Sequence, residues 1–94
     1  SMIQSFANKD TERLWNRERV RSIDSRIHSV ALRTLRQLGY AQSLQELRIR
    51  PGNRLEALKG DRRGQHSIRI NSQWRICFRW TAAGPEEVEI VDYH

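Results

Sequence analysis

The chain has 94 residues, a length that fits one domain with a modest core and excludes a multidomain architecture. It carries 17 Lys and Arg against 11 Asp and Glu, a formal net charge of +6, and its only lysines are Lys9 and Lys59. Arginine makes bidentate contacts with phosphate and stacks on bases, so this composition favours a polyanionic partner. The alternative is a soluble protein whose basic surface has no such partner.

The composition also indicates the cellular compartment in which the protein is expected. A single cysteine, Cys77, excludes an internal disulfide and fits a reducing environment. No apolar run approaches the length of a membrane span, and the first residues lack the apolar core of a signal peptide. We therefore expect a cytoplasmic protein with no membrane contact. Ser1, which precedes Met2, is interpreted as a cloning remnant and is left out of the fold prediction.

The N-terminal residues predict a short strand followed by a short helix. Residues 2–6, MIQSF, form the candidate strand, with Ile3 and Phe6 facing inward. Asn8 or Asp10 is a suitable N-cap for the helix, because a short polar side chain can accept a hydrogen bond from the first turn. Leu14 and Trp15 are its apolar anchors.

Residues 22–40 predict a long helix. Ser22 or Asp24 can cap its start, and Gly39 is expected to end it in the left-handed conformation. Its apolar residues recur at helical spacing: Ile23, Ile27, Val30, Ala31, Leu35 and Leu38. Three arginines lie off this stripe and form either a solvated face or the contact surface for an acidic partner: Arg26, Arg33 and Arg36.

The second half of the chain changes to the alternating pattern of strands. A capping box at Ser43 and Glu46 predicts one helical turn, and residues 50–52 have turn chemistry. Residues 54–60 predict a strand, residues 64–80 a hairpin with its tip at 71–73, and residues 87–94 the last strand. We therefore predict a single α+β domain over residues 1–94, with N-terminal helices packed on one face of an antiparallel sheet.

The hairpin separates apolar from basic side chains. Trp74, Ile76, Phe78 and Trp80 alternate with residues that point to the opposite side of the sheet. The apolar side is expected to face the long helix. The other side is expected to carry three arginines, namely Arg69, Arg75 and Arg79.

A cluster of titratable side chains is expected if the last strand pairs beside the hairpin. It would contain Lys59, Arg75, Tyr93 and His94, with Asp92 adjacent. RNA cleavage needs a base for the 2′-hydroxyl proton, an acid for the leaving 5′-oxygen and cations for the charge at phosphorus. RNA supplies its own nucleophile, so these residues need neither a metal nor a cofactor.

Each of these residues also has a purely structural interpretation. Tyr93 fits a half-buried strand residue, and His94 fits an exposed chain end. Arg75 fits a solvated strand residue, and Asp92 can pair with an arginine. A zinc site is disfavoured because the candidate ligands lack the usual short spacing: His28, His66, Cys77 and His94.

A resemblance to a known family favours the chemical interpretation. It is carried by LKGDRRGQHSIRINSQWRICFRW at 58–80 and VEIVDYH at 88–94, and MIQSF and GNRLEALKGDR also fit. The chain resembles, over nearly its whole length, the HigB toxins of the RelE/ParE superfamily, the plasmid maintenance killer type. The resemblance implies a RelE-like fold and a type II toxin that cuts mRNA on the ribosome. It also implies neutralisation by a HigA-type helix-turn-helix antitoxin, through which the complex would bind operator DNA.

The resemblance assigns catalytic roles to Lys59, Arg75, Asp92, Tyr93 and His94. Some relatives have a histidine three residues before the lysine, where this chain has a glutamate, which favours Tyr93 or His94 as the proton carrier. The basic segment 51–80 supplies the expected RNA and ribosome contacts: Arg54, Arg62, Arg63, Arg69 and Arg79. Two alternatives stay open, a ParE-like toxin acting on a protein such as gyrase and a nucleic-acid-binding module without chemistry.

Overall fold

The computed structural model describes residues 2–93, which form helices packed on one side of a four-stranded sheet. The helices are α1 (Lys9–Trp15), α2 (His28–Tyr40) and α3 (Leu44–Ile49). The strands are β1 (Glu56–Ala57), β2 (His66–Arg69), β3 (Trp74–Thr81) and β4 (Gly84–Asp92). Single 3-10 turns precede α2 at Ser25–Ile27 and follow β1 at Gly60–Arg62. The predicted α+β architecture is confirmed.

The starts of α1 and α3 follow the sequence signals, but both ends of α2 differ from the prediction. The helix predicted over 22–40 begins at His28 without a side-chain cap, and Asp24 caps only the preceding 3-10 turn. Asn8 caps α1 by accepting the N–H of Thr11 at 2.8 Å, and Ser43 caps α3 in the same way. Gly39 lies inside α2, so its predicted role as the left-handed residue that ends the helix is wrong. The helix runs to Tyr40 because the fully buried Leu38 holds its last turn against the core.

The sheet is antiparallel throughout, in the order β1-β2-β3-β4. The predicted hairpin is confirmed, with residues 70–73 between β2 and β3. The predicted strand over 54–60 is reduced to β1. The predicted strand over 2–6 is an extended segment whose bridge to β4 joins Phe6 and Val88 in parallel. Ile3 and Phe6 pack against the core, as predicted.

The core lies between the helices and one face of the sheet. Leu35 and Leu38 of α2 and Ile68, Ile76 and Phe78 of the hairpin are fully buried. This burial confirms that the apolar side of the hairpin faces the long helix. Among residues 2–93, no helix is long and apolar enough to cross a membrane.

Thr11 connects α1 to β4 through a buried hydrogen bond. The residue is 1% exposed, and its hydroxyl accepts the N–H of Ile90 at 3.0 Å. This amide would otherwise lie against the core without a partner, at a considerable desolvation cost. The bond therefore fixes the C-terminal part of β4, from which Asp92 and Tyr93 continue.

The Thr11 bond predicts a specific loss of stability. Thr11→Val keeps the shape of the side chain but removes the acceptor, so the free energy of unfolding should fall by about 1–3 kcal/mol. Thr11→Ser retains the hydroxyl and should lose less. Urea denaturation of the three proteins measures the difference, and equal stability of Thr11→Val and wild type would contradict a structural role for this bond.

Candidate active site

The candidate site lies on the outer face, which we define as the side of the sheet turned away from the helices. Cross-strand pairing of Ser67 with Cys77, of Arg69 with Arg75 and of Cys77 with Glu89 places these five side chains on it. Its centre is β3, which is paired on both sides. The most rigid part of the sheet therefore carries the polar face.

Arg75 is the buried centre of this face, with 8% of the residue exposed. Its Nε donates to Ser67 Oγ at 2.8 Å, and its Nη2 donates to the Arg54 carbonyl at 2.6 Å. The Glu56 carboxylate lies 3.5 Å from Nη2. The Tyr93 ring lies beside the guanidinium, with 6.0 Å between Cζ and the ring centroid. These contacts hold the guanidinium in one orientation.

The Arg54 carbonyl, which accepts a hydrogen bond from Arg75, lies in the loop before β1. Arg54 has a positive φ of 46°, which is uncommon for a residue with a side chain. Asn53 anchors the loop, because its buried amide donates to the Leu47 carbonyl at 3.2 Å. The Asn53 carbonyl accepts the N–H of Arg69 at 2.7 Å. The loop is therefore fastened to α3 and β2 through Asn53, directly before Arg54.

The expectation that Arg75 is a solvated strand residue is wrong. A buried guanidinium is tolerated only where its N–H groups find partners. Ser67 and Arg54 supply these partners, and Glu56 supplies a negative charge. Within residues 2–93, Nη1 makes no hydrogen bond to the protein.

Arg75 is therefore expected to support stability as well as function. Arg75→Ala should lower the free energy of unfolding by about 1–3 kcal/mol, because Ser67 and the Arg54 carbonyl lose a buried donor. Arg63→Ala, at an exposed position, should change it by less than about 0.5 kcal/mol. Chemical denaturation compares the two variants, and an Arg75→Ala variant as stable as wild type would contradict the structural role.

Asp92 and Tyr93, which the sequence predicted to lie in one cluster, are on opposite faces of the sheet at the end of β4. Tyr93 is 40% exposed beside Arg75, and its N–H donates to the Gln73 carbonyl at 2.6 Å. Asp92 pairs with Trp74, on the side of the sheet that faces the helices, and both its oxygens accept from Gln73 Nε2 at 3.1 Å. Successive strand residues point to opposite faces, so Asp92 is not placed beside Arg75. The predicted contribution of His94 lies outside the described residues.

Lys59 follows β1 in the chain and has an exposed side chain. It precedes the 3-10 turn Gly60–Arg62, which is tied to the sheet by Arg62. The Nη1 of Arg62 donates to Glu89 Oε1 at 3.2 Å and to Gln65 Oε1 at 3.1 Å. Burial opposes ionisation of Arg62, yet Cys77, Glu89 and Tyr93 together raise its pKa. The 3-10 turn that follows Lys59 is therefore held to the outer face through Arg62.

The other arginines expected to contact RNA differ in their surroundings. Arg69 is the cross-strand neighbour of Arg75, while Arg54 and Arg63 are exposed. Arg79 Nε lies 3.1 Å from Glu87 Oε2. The outer face is thus rich in arginine, although Arg62 and Arg79 each have a glutamate partner.

Cys77 is fully buried beneath these charged groups. Burial raises the pKa of its thiol, and the opposing influence of Arg62 and Arg75 does not reverse this shift. The thiol is therefore protonated at neutral pH and is a poor nucleophile. In the described range 2–93, no three His, Cys, Asp or Glu side chains are grouped as metal ligands.

Sequence reasoning missed Glu56 and Ser67 as members of the site. The sequence marked Glu56 only as a position where some relatives have a histidine. In the structure its side chain is 59% exposed and adjoins Arg75. It lies opposite Ser67 in the β1–β2 ladder. An explicit antiparallel register for residues 54–60 against 64–69 would have placed both side chains beside Arg75.

Fold and site together define a small α+β protein with an arginine-centred polar face. A family model described as the RelE-like toxin of the type II toxin–antitoxin system HigB matches residues 4–94. Toxin HigB-1 of Vibrio cholerae serotype O1 is 41% identical over 80 residues, 84% of each chain. The YoeB/ParE toxin from Agrobacterium tumefaciens has a similar fold, with a TM-score of 0.57 at 21% identity, covering 100% of this chain and 99% of that one.

The chain belongs to the HigB family of RelE-like toxins of type II toxin–antitoxin systems. It is therefore a toxin, and a type II toxin has an antitoxin as its partner.

Proposed function

We propose that this toxin is an endoribonuclease that cuts mRNA on the ribosome and requires no metal ion. The observation that carries the proposal is the fixed guanidinium of Arg75, whose Nη1 makes no hydrogen bond within residues 2–93, on a face rich in arginine. A preorganised cation stabilises developing negative charge without reorganising during the reaction. Arg75 would hold the scissile phosphate, and the exposed Lys59 would reach it from the segment after β1.

Glu56 is the proposed general base. It is an exposed carboxylate adjoining the guanidinium that would hold the phosphate, so a 2′-hydroxyl next to that phosphate would lie within its reach. Glu56 would take the 2′-hydroxyl proton while the 2′-oxygen attacks phosphorus. The bond from phosphorus to the 5′-oxygen then breaks, leaving a 2′,3′-cyclic phosphate.

Tyr93 and His94 are the proposed acids for the leaving 5′-oxygen. Tyr93 lies beside Arg75 on the side away from the core, and His94 follows it directly. One of them would donate the proton that the 5′-oxygen requires. Asp92 would act indirectly, by fixing the hairpin tip through Gln73 so that the strand end keeps its position.

The ribosome is a proposed partner because the site has few side chains that could position RNA. Few side chains would touch the reacting atoms, so the ribosome would have to hold the message in a reactive geometry. The arginines around the centre would contact the RNA or ribosome backbone. We further propose that the antitoxin is of the HigA type and mediates binding of the complex to operator DNA, and that the toxin acts in the cytoplasm.

The decisive experiment compares mRNA cleavage on translating ribosomes with cleavage of the same RNA free in solution. Wild-type toxin should cut the ribosome-bound message and leave free RNA almost intact. Glu56→Gln should slow cleavage by about 10²–10⁴-fold, the usual contribution of a general base. Glu87→Gln removes a carboxylate paired with Arg79 instead and should retain most of the activity.

Three outcomes would contradict the proposal. Equal cutting of free and translated RNA would remove the ribosome from the mechanism. Full activity of Glu56→Gln would show that Glu56 is not the base and would leave Tyr93 or His94 in that role. Cleavage by Tyr93→Phe and by His94→Ala would then show which of the two it is. Intact mRNA together with inhibited DNA gyrase would show a toxin that acts on a protein.

A further inference from the structure

A groove of about 330 Å³ lies between the N-terminal segment and the C-terminal ends of α1 and α2. Its lining includes Ile3, Trp15, Arg36, Gly39 and Tyr40. The side chain of Trp15 packs against the Phe6 ring, with 6.2 Å between the ring centroids. Gly39 forms part of the floor, where a Cβ would make ordinary van der Waals contact with Ile3 and Trp15, each 3.7 Å away.

The edges of this groove expose large apolar side chains. Tyr40 is 80% exposed and Met2 is 76% exposed. Single exposed apolar residues are common, but here two converge on one concave surface with a tryptophan in its lining. Methionine and tyrosine are also typical of surfaces that adapt to protein partners. The groove therefore suits an apolar side chain from another protein.

The charge beside the groove is positive. Arg33, Arg36 and Tyr40 follow one another at helical spacing along α2, which contains no Asp or Glu. Within residues 2–93, neither Arg33 nor Arg36 has an ion pair. By contrast, Arg62, Arg75 and Arg79 on the outer face each adjoin a glutamate. The helix thus presents unneutralised charge to a partner.

The groove is far from the candidate active site. The N-terminal segment runs parallel to β4, and Gln4 N–H donates to the Pro85 carbonyl near the start of that strand. Tyr93 follows the other end of β4, which has nine residues and spans about 30 Å at the usual rise. The groove is therefore separated from Tyr93 by most of the length of β4.

We propose that this groove is the docking site for the antitoxin. The antitoxin would insert an apolar side chain between Trp15 and Tyr40, and a carboxylate on the same amphipathic segment would pair with Arg36. The largely apolar lining favours a protein over RNA, since a phosphate backbone would leave it unused. The inference rests on the antitoxin partner that the family implies and is independent of the proposed nuclease activity.

Binding of the cognate antitoxin to full-length toxin tests the proposal, by calorimetry at two salt concentrations. Tyr40→Ala and Arg36→Glu should each raise Kd about tenfold or more, because central interface residues carry most of the binding energy. Ile49→Ala and Arg21→Glu are matched controls at exposed positions outside the groove, and their Kd should stay within about twofold of wild type. Arg36→Glu should also weaken the salt dependence.

Two further variants separate docking from folding. Gly39→Ala favours the helix and adds a methyl group to the groove floor, so it should weaken antitoxin binding without lowering the melting temperature. In the antitoxin, lysine in place of the acidic residue that pairs with Arg36 should restore binding to Arg36→Glu toxin. Free Tyr40→Ala and Arg36→Glu toxins should retain wild-type toxicity.

Other results would overturn the proposal. Unchanged antitoxin affinity in both Tyr40→Ala and Arg36→Glu would place the antitoxin elsewhere. Loss of ribosome binding with intact antitoxin affinity would make this groove an RNA surface. A wild-type toxin that is dimeric, and becomes monomeric with Tyr40→Ala while keeping its antitoxin affinity, would make the occupant a second copy of the chain.

Discussion

The outer face depends on the hydrogen bonds that satisfy the buried guanidinium of Arg75. One bond goes to a neighbouring strand through Ser67 and one to the carbonyl of Arg54, 21 residues earlier in the chain. A buried cation without these partners would destabilise the sheet. The same bonds orient the remaining edge of the guanidinium, so stability and the proposed phosphate contact have one structural origin. The loop at Asn53 is part of this arrangement because it fixes the Arg54 carbonyl.

Strand alternation then separates the chemistry from the core. Residues of β3 alternate between the helices and the outer face, so Ile76 and Phe78 fill the core while Arg75 and Cys77 face outward. The same rule separates Tyr93, beside Arg75, from its neighbour Asp92. A small domain can in this way hold a charged face directly behind a close-packed core. The proposed antitoxin groove uses a third region, at the C-terminal ends of α1 and α2, so inhibition need not occupy the surface around Arg75 and Tyr93.

Much of the fold could be predicted because its signals are local. Apolar spacing in residues 22–40 and alternation in the hairpin each follow from a single element, as does the cap at Asn8. Gly39 was misassigned because tertiary packing of Leu38 overrides a local stop signal. The site was harder to predict, because the burial of Arg75 depends on a carbonyl from a distant loop. The position of Glu56 likewise depends on the register of a two-residue strand.

The most direct test of the account uses a ribosome-bound message with a single 2′-deoxynucleotide immediately 5′ of the mapped cut site. The proposed site supplies cations and proton carriers but takes its nucleophile from the RNA, so cleavage at that phosphate should stop. The matched ribonucleotide message should be cut there and leave a 2′,3′-cyclic phosphate. Continued cleavage of the deoxy-substituted message would show that an external nucleophile attacks the phosphate, and it would contradict the central claim.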